Sequence, residues 1–150
     1  MDGNQWVEQH VSFPFFRAHN KLYQRSNGRI GHRVPGMPRC LLLHTTGAKT
    51  GQPRTNTLAY AHDGADYLIV ASNAGAENYP GWYHNLRAHP EPEINIGTKR
   101  FGVTAKRVMP GEPDYDRLWE IANKNTANRY DGYQRRTPRP IPVFILTPRR

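Results

Sequence analysis

Cys40-Leu41-Leu42-Leu43-His44-Thr45-Thr46-Gly47-Ala48-Lys49-Thr50-Gly51-Gln52-Pro53-Arg54 opens a segment that continues as Thr55-Asn56-Thr57-Leu58-Ala59-Tyr60-Ala61-His62-Asp63-Gly64-Ala65-Asp66-Tyr67-Leu68-Ile69-Val70-Ala71. Three strand-like runs lie in it, at residues 40–46, 54–62 and 67–71, with apolar or alternating character and turn residues between them. The second and third meet at His62-Asp63-Gly64-Ala65, whose Asp-Gly pair marks a hairpin. Parallel pairing needs a crossover of a dozen or more residues, usually a helix, and no helical pattern separates these runs. The sheet must therefore begin antiparallel.

Outward from this segment the pattern continues. Small residues 72–78 follow the third run, and Pro80-Gly81 opens a short helix to about residue 88, ended by His89-Pro90-Glu91-Pro92. Residues 93–96 and 100–108 form another hairpin around Gly97-Thr98. A helix over residues 113–125 carries Leu118, Ile121 and Ala122 at helical spacing, and residues 141–146 close the chain as a strand. Before the sheet, Trp6, Val7, His10, Val11, Phe13, Phe15, Phe16, Leu22 and Tyr23 suggest an amphipathic helix over residues 4–26, kinked at Pro14. Roughly six short strands with flanking helices predict a mainly β, α+β fold: an antiparallel sheet curled into a small barrel. Residues 1–38 read as an amino-terminal helix and loop and residues 39–150 as the barrel, together one structural domain.

The chain has 150 residues and a net charge of +9, enough for one ordinary core and a bias toward anionic partners. No Asp or Glu occurs between Glu8 and Asp63, while Arg17, Lys21, Arg25, Arg29, Arg33, Arg39, Lys49 and Arg54 fall there. The glycines and cations of residues 47–54 have the chemistry of an anion cradle. A P-loop is excluded, because its two glycine positions are occupied by Ala48 and Leu43. The single Cys40 leaves no internal disulfide framework, and no Cys/His spacing suits zinc. No signal peptide or membrane-spanning run is legible, which fits a cytoplasmic protein, at most peripheral to the inner face of the membrane through its first helix.

Other segments carry weaker signals. Ala71, Ser72, Asn73, Gly75 and Ala76 form a small-residue loop whose backbone can approach a ligand closely. Trp82, Asn85 and Leu86 share one helical face, as core residues or as ligand contacts. Tyr130 and Tyr133 would share a face if helical; they either pack against the last strand or offer hydroxyls to an acceptor.

Taken in order, Leu41-Leu42-Leu43-His44, the run 45–54, Ala71-Ser72 with Gly75-Ala76, Trp82-Tyr83-His84-Asn85-Leu86, and Tyr130 with Tyr133 before Ile141-Pro142-Val143 are a specific sequence of marks. The chain resembles the deazaflavin (coenzyme F₄₂₀)-dependent nitroreductase family of actinobacteria over residues 39–146. That resemblance implies a split antiparallel β-barrel of the flavin-reductase type. It also implies hydride transfer from reduced F₄₂₀ to a quinone, an activated alkene or a nitroaromatic. By the same resemblance Lys49, Thr50 and Arg54 would hold the phosphate and acidic tail of the cofactor. Thr55, Asn56, Thr57 and Leu58 would line its ring with residues 71–76, and Trp82 and Asn85 would fix the pocket. Tyr130 and Tyr133 would face the acceptor as catalytic residues. Two alternatives stand beside this reading: FMN in place of F₄₂₀ on the same barrel, and a basic barrel binding nucleic acid on aromatic platforms.

Overall fold

The computed structural model describes residues 38–149. The expected amino-terminal helix, with its alternatives of packing on the barrel or resting on anionic lipid, lies outside the described residues. Among the described residues seven strands form one antiparallel sheet in the order β2-β1-β5-β6-β7-β4-β3. They are β1 (Cys40–Thr46), β2 (Pro53–Ala59), β3 (Ala61–Asp63), β4 (Asp66–Val70), β5 (Glu93–Ile96), β6 (Lys99–Val108) and β7 (Val143–Pro148). Among the described residues three α-helices accompany them: α1 (Gly81–Ala88), α2 (Tyr115–Asn125) and α3 (Arg129–Arg136).

The edge strands β2 and β3 are consecutive in the chain and separated by Tyr60 alone. The chain thus steps directly from one edge of the sheet to the other, and the sheet has to curl for those edges to meet. The alternation of residues 54–62 predicts a single strand there. The structure divides it, because the Tyr60 N–H leaves the ladder and donates to the Arg39 carbonyl at 3.1 Å. Curling is also visible in β6, whose residues Lys99–Gly102 pair with β5 while Val103–Val108 pair with β7. Gly102 stands at that handover with the Arg149 guanidinium against its Cα, so a Cβ there would have to push that side chain aside.

Two cores flank the sheet. Leu41, Leu43, Ile69, Ile94, Phe144 and Leu146 point inward and meet Trp82, Tyr83 and Leu86 of α1. The opposite face of β4 and β7 presents Leu68, Val70 and Val143 to Tyr115, Leu118 and Ala122 of α2 and Tyr130 of α3. The alternation of strand side chains therefore feeds both cores. α1 begins after Pro80, in extended conformation, and ends at His89, which Pro90 holds out of the helical region. α2 begins at Tyr115, two residues later than residues 113–125 predicted, and the closing strand at Val143, two later than 141–146. α3 follows directly on left-handed Ala127 and Asn128 and is fastened to α2 by Trp119 Nε1 donating to Asp131 at 2.8 Å.

Candidate active site

Turn residues 47–52 are closed by two backbone hydrogen bonds, from Gly47 N–H to the Gln52 carbonyl at 2.8 Å and from Gly51 N–H to the Gly47 carbonyl at 2.9 Å. Asn85, reaching from α1, completes the turn. Its Oδ1 accepts the Ala48 N–H at 2.9 Å and its Nδ2 donates to Thr45 Oγ1 at 3.1 Å. Lys49, Thr50 and Arg54 are exposed. Neither Lys49 nor Arg54 forms an ion pair among the described residues, so the charge of both is available to an anion.

The turn borders a cleft of about 1400 Å³. Sites for a drug-sized ligand span about 300–1,000 Å³, so this one has room for two molecules side by side. Edge strand β2 supplies one wall through Arg54, Thr55, Asn56, Thr57 and Leu58. Ser72 and Asn73 lie on a second wall, Trp82 and Asn85 come from α1, and Tyr130 and Tyr133 stand on α3. Most of the residues expected from the sequence thus converge. Ala71, Gly75 and Ala76 do not line the cleft: Ala71 is fully buried, and Gly75 lies against α3, where a Cβ would come within 2.8 Å of the Tyr133 carbonyl. Their neighbour Ala74 reaches the cleft instead.

Trp82 is as much core as site. It is a core residue that also lines the cleft, 4% exposed and meeting Phe144 edge-on at 5.7 Å, while Leu86 belongs to the core alone. Thr55 is backed by His44, whose Nδ1 lies 3.1 Å from Thr55 Oγ1 and whose Nε2 lies 2.7 Å from Asn95 Oδ1. Burial lowers the His44 pKa against the raising effect of the Asn95 hydrogen bond. The imidazole is therefore neutral at pH 7. Asn95 is fully buried, and its Nδ2 has no partner among the described residues.

Tyr130 is 8% exposed, packs near Trp119 and Tyr133, and also reaches the cleft. Burial raises its pKa strongly, with smaller contributions from Tyr133 and Cys40. A phenol so placed keeps its proton and donates hydrogen bonds, but it is a poor source of protons. Cys40, in the same wall, is pushed up to about 11 by burial and stays a thiol. Tyr133 is half-buried, with the Arg136 guanidinium 5.5 Å from its ring centre.

One further cation lines the cleft and another braces its wall, and neither carries a mark in the sequence. Arg129, exposed in the first turn of α3, lines the far end of the cleft. Arg139 joins the loop to the segment after α3: Nε donates to the Ala76 carbonyl at 2.9 Å, Nη1 to Ala71 at 3.2 Å and Nη2 to Ser72 at 2.7 Å. Its guanidinium also lies 4.5 Å from the centre of the Tyr79 ring. No local spacing marks an arginine that acts 63 to 68 residues upstream.

The sequence profile of a family described as F₄₂₀H₂-dependent quinone reductase matches residues 15–148. The chain is similar to an F₄₂₀H₂-dependent quinone reductase of Mycobacterium tuberculosis, 62% identical over 149 residues, which cover 99% of this chain and all of that one. Among solved structures it is similar to an F₄₂₀H₂-dependent reductase, with a TM-score of 0.64 and 33% identity over 76% of this chain and 99% of the other. A protein described as a domain-swapped dimer matches with a TM-score of 0.66 and 29% identity over 91% and 99%. These neighbours carry the split-barrel fold expected from the sequence.

Proposed function

The chain belongs to the F₄₂₀H₂-dependent quinone reductase family and is an enzyme whose cofactor is coenzyme F₄₂₀, and we propose that the cleft between β2, residues 72–74 and α3 is where F₄₂₀ and a quinone meet. The family is named for quinones, where the resemblance read from the sequence is to a family named for nitro compounds. Activated alkenes and nitroaromatics are proposed here only as further acceptors of the same electron-poor kind. FMN is not carried forward, because the matched family is defined by F₄₂₀. The nucleic-acid alternative is not carried forward either, because the matched family and relatives are reductases.

The observation that carries the reading is the ordering of groups along one cleft. Cations with no ion pair among the described residues lie at the β2 turn, a threonine- and leucine-bearing strand edge leads from it to Ala59, which pairs with Cys40, and the phenols of α3 border the same cleft, Tyr130 near Cys40. Such a series fits a planar ring with an anionic tail. Lys49 and Arg54 would bind phosphate and carboxylate groups of the tail, Thr55 to Leu58 with Ser72 and Asn73 would border the ring, and Tyr130 and Tyr133 would face the acceptor. When bound and reduced, the cofactor supplies a hydride. The chain's part is to hold two reactants in contact and keep water from between them. Tyr130, held protonated by burial, donates a hydrogen bond to an acceptor oxygen as negative charge develops there. The balancing proton comes from solvent, since the raised pKa makes Tyr130 a weak acid.

Mixing the protein loaded with reduced F₄₂₀ against menadione without oxygen tests this. Recovery of the oxidised cofactor's visible absorption, saturating in menadione, is expected. Oxidation no faster than in protein-free solution would refute it.

A further inference from the structure

Residues 71–76 hold a conformation that one of them, Ala74, does not favour. Asn73, Ala74 and Gly75 are consecutive left-handed residues, with φ of 46°, 54° and 77°. For Ala74 this region is costly, because its Cβ crowds the following carbonyl. The internal bonds that oppose this are few. Gly75 N–H reaches the Ser72 carbonyl at 2.9 Å, Ala76 N–H reaches the Asn73 carbonyl at 3.0 Å, and Asn73 Nδ2 reaches the Asn78 carbonyl at 3.0 Å. Among the described residues, the Ala71 N–H also donates to the Pro142 carbonyl at 3.1 Å, and the side-chain contacts from outside the loop are those of Arg139.

That side chain binds both ends of the loop, through the Ala71 and Ser72 carbonyls before the left-handed run and the Ala76 carbonyl after it. The planar guanidinium reaches the three carbonyls from three separate nitrogens, whereas a lysine ammonium would have to reach them all from one. The other face of the guanidinium lies on Tyr79, whose ring stacks on Tyr83 at 4.0 Å between centres and 11° between planes. Tyr83 in turn accepts from Arg107 at 2.8 Å, and the Tyr79 hydroxyl donates to the Pro140 carbonyl at 3.1 Å. Gln134 on α3 fixes the arginine's own backbone, its Nε2 donating to the Arg139 carbonyl at 2.9 Å. Arg139 is thus tied to α3, which carries Tyr130 and Tyr133, and to the loop, which carries Ser72 and Asn73.

We propose that Arg139 is a positioning residue that sets the gap between the cofactor-side wall of the cleft and the acceptor-side wall, and through it the affinity for F₄₂₀. It touches neither reactant. Its action runs through the Ala71, Ser72 and Ala76 carbonyls, and it rests on the function proposed above.

Arg139→Lys and Arg139→Ala test this, with F₄₂₀ binding followed by the cofactor's fluorescence and loop opening by amide hydrogen exchange at Gly75 and Ala76. Loss of three charge-assisted bonds in Arg139→Ala is expected to weaken F₄₂₀ about tenfold or more, and Arg139→Lys to fall between. Exchange at Gly75 and Ala76 should accelerate while amides of β1 and β5 keep their protection. Millimolar methylguanidinium should restore affinity to Arg139→Ala, and methylammonium should not. If Arg139→Ala does not fold, Arg139→Lys and Tyr79→Leu carry the same test through affinity and exchange. Variants that bind F₄₂₀ as tightly as wild type, or a loss of affinity that comes with uniformly faster exchange across the sheet, would overturn the inference alone. A wild-type chain that binds no F₄₂₀ would overturn the proposed function, and this inference with it.

Discussion

The side-chain oxygen of Asn85 accepts the backbone N–H of Ala48 at 2.9 Å, so one amide on α1 holds the turn that carries Lys49. The same amide donates to Thr45 Oγ1, at the end of β1. Helix, strand and turn are joined at a single residue, and the cations of the turn are aimed by it.

Asn85→Ala should therefore lower F₄₂₀ affinity by loosening this turn, since one N–H and one lone pair of the amide are committed to it. Leaving the Ala48 N–H and the buried Thr45 hydroxyl unmatched costs about 1–3 kcal/mol, divided between stability and the order of the turn. Asn85→Asp keeps the acceptor and loses the donor, so it should do less harm to the turn than alanine. Thermal unfolding and F₄₂₀ titration of both variants check this.

Tyr130→Phe is expected to lower turnover and leave F₄₂₀ affinity nearly unchanged. Phenylalanine fills the same place in the core formed with α2, so packing is conserved. A hydrogen bond made only as charge develops on the acceptor contributes about 1–3 kcal/mol, roughly fivefold to a hundredfold in rate. Tyr133→Phe should do less. Stopped-flow oxidation of pre-reduced cofactor separates the effects, and a wild-type rate with several quinones would make Tyr130 a packing residue.

Much of the fold and of the site is legible in the amino-acid sequence. The antiparallel order follows from the absence of crossover helices in residues 40–71, and the hairpin turns at Gly64 and Gly97 are marked by residues that adopt positive φ, observed at 62° and 58°. Lys49 and Arg54 stand out because no acid lies near them in sequence. The break at Tyr60 is not legible, since it depends on a hydrogen bond to Arg39 rather than on local propensity. Arg139 is invisible for the same reason: its partners are the Ala71, Ser72 and Ala76 carbonyls, and a carbonyl has no residue identity. Asn85 is marked as a pocket residue, and the structure adds that its amide is committed to Thr45 and Ala48.

His44 makes stability depend on pH. Burial lowers its pKa below 6.5, so the folded chain prefers the neutral ring and the unfolded chain takes up a proton first as pH falls. Its contribution is fully present above pH 6.5 and is lost as pH falls through the lower folded value. The unfolding temperature of wild type should drop between pH 7 and pH 5 more steeply than that of His44→Gln. Parallel slopes for the two proteins would exclude His44 as the source.

Cys40 should be inert in the folded protein. With its pKa pushed up to about 11 by burial, almost no thiolate exists at pH 7.5. Iodoacetamide is expected to label it in denaturant and hardly at all in native buffer, as read by mass spectrometry.

Everything proposed for the cleft depends on Lys49 and Arg54 anchoring the anionic tail of F₄₂₀. Each substitution to alanine should weaken binding by about 1–3 kcal/mol, because each leaves one charge-assisted contact unmade. The decisive experiment is a fluorescence titration of F₄₂₀ against wild type and the Lys49→Ala/Arg54→Ala double variant at two salt concentrations. A much weaker double variant with a shallower salt dependence is expected; equal affinity and equal salt dependence in the two proteins would show that this turn does not hold the tail.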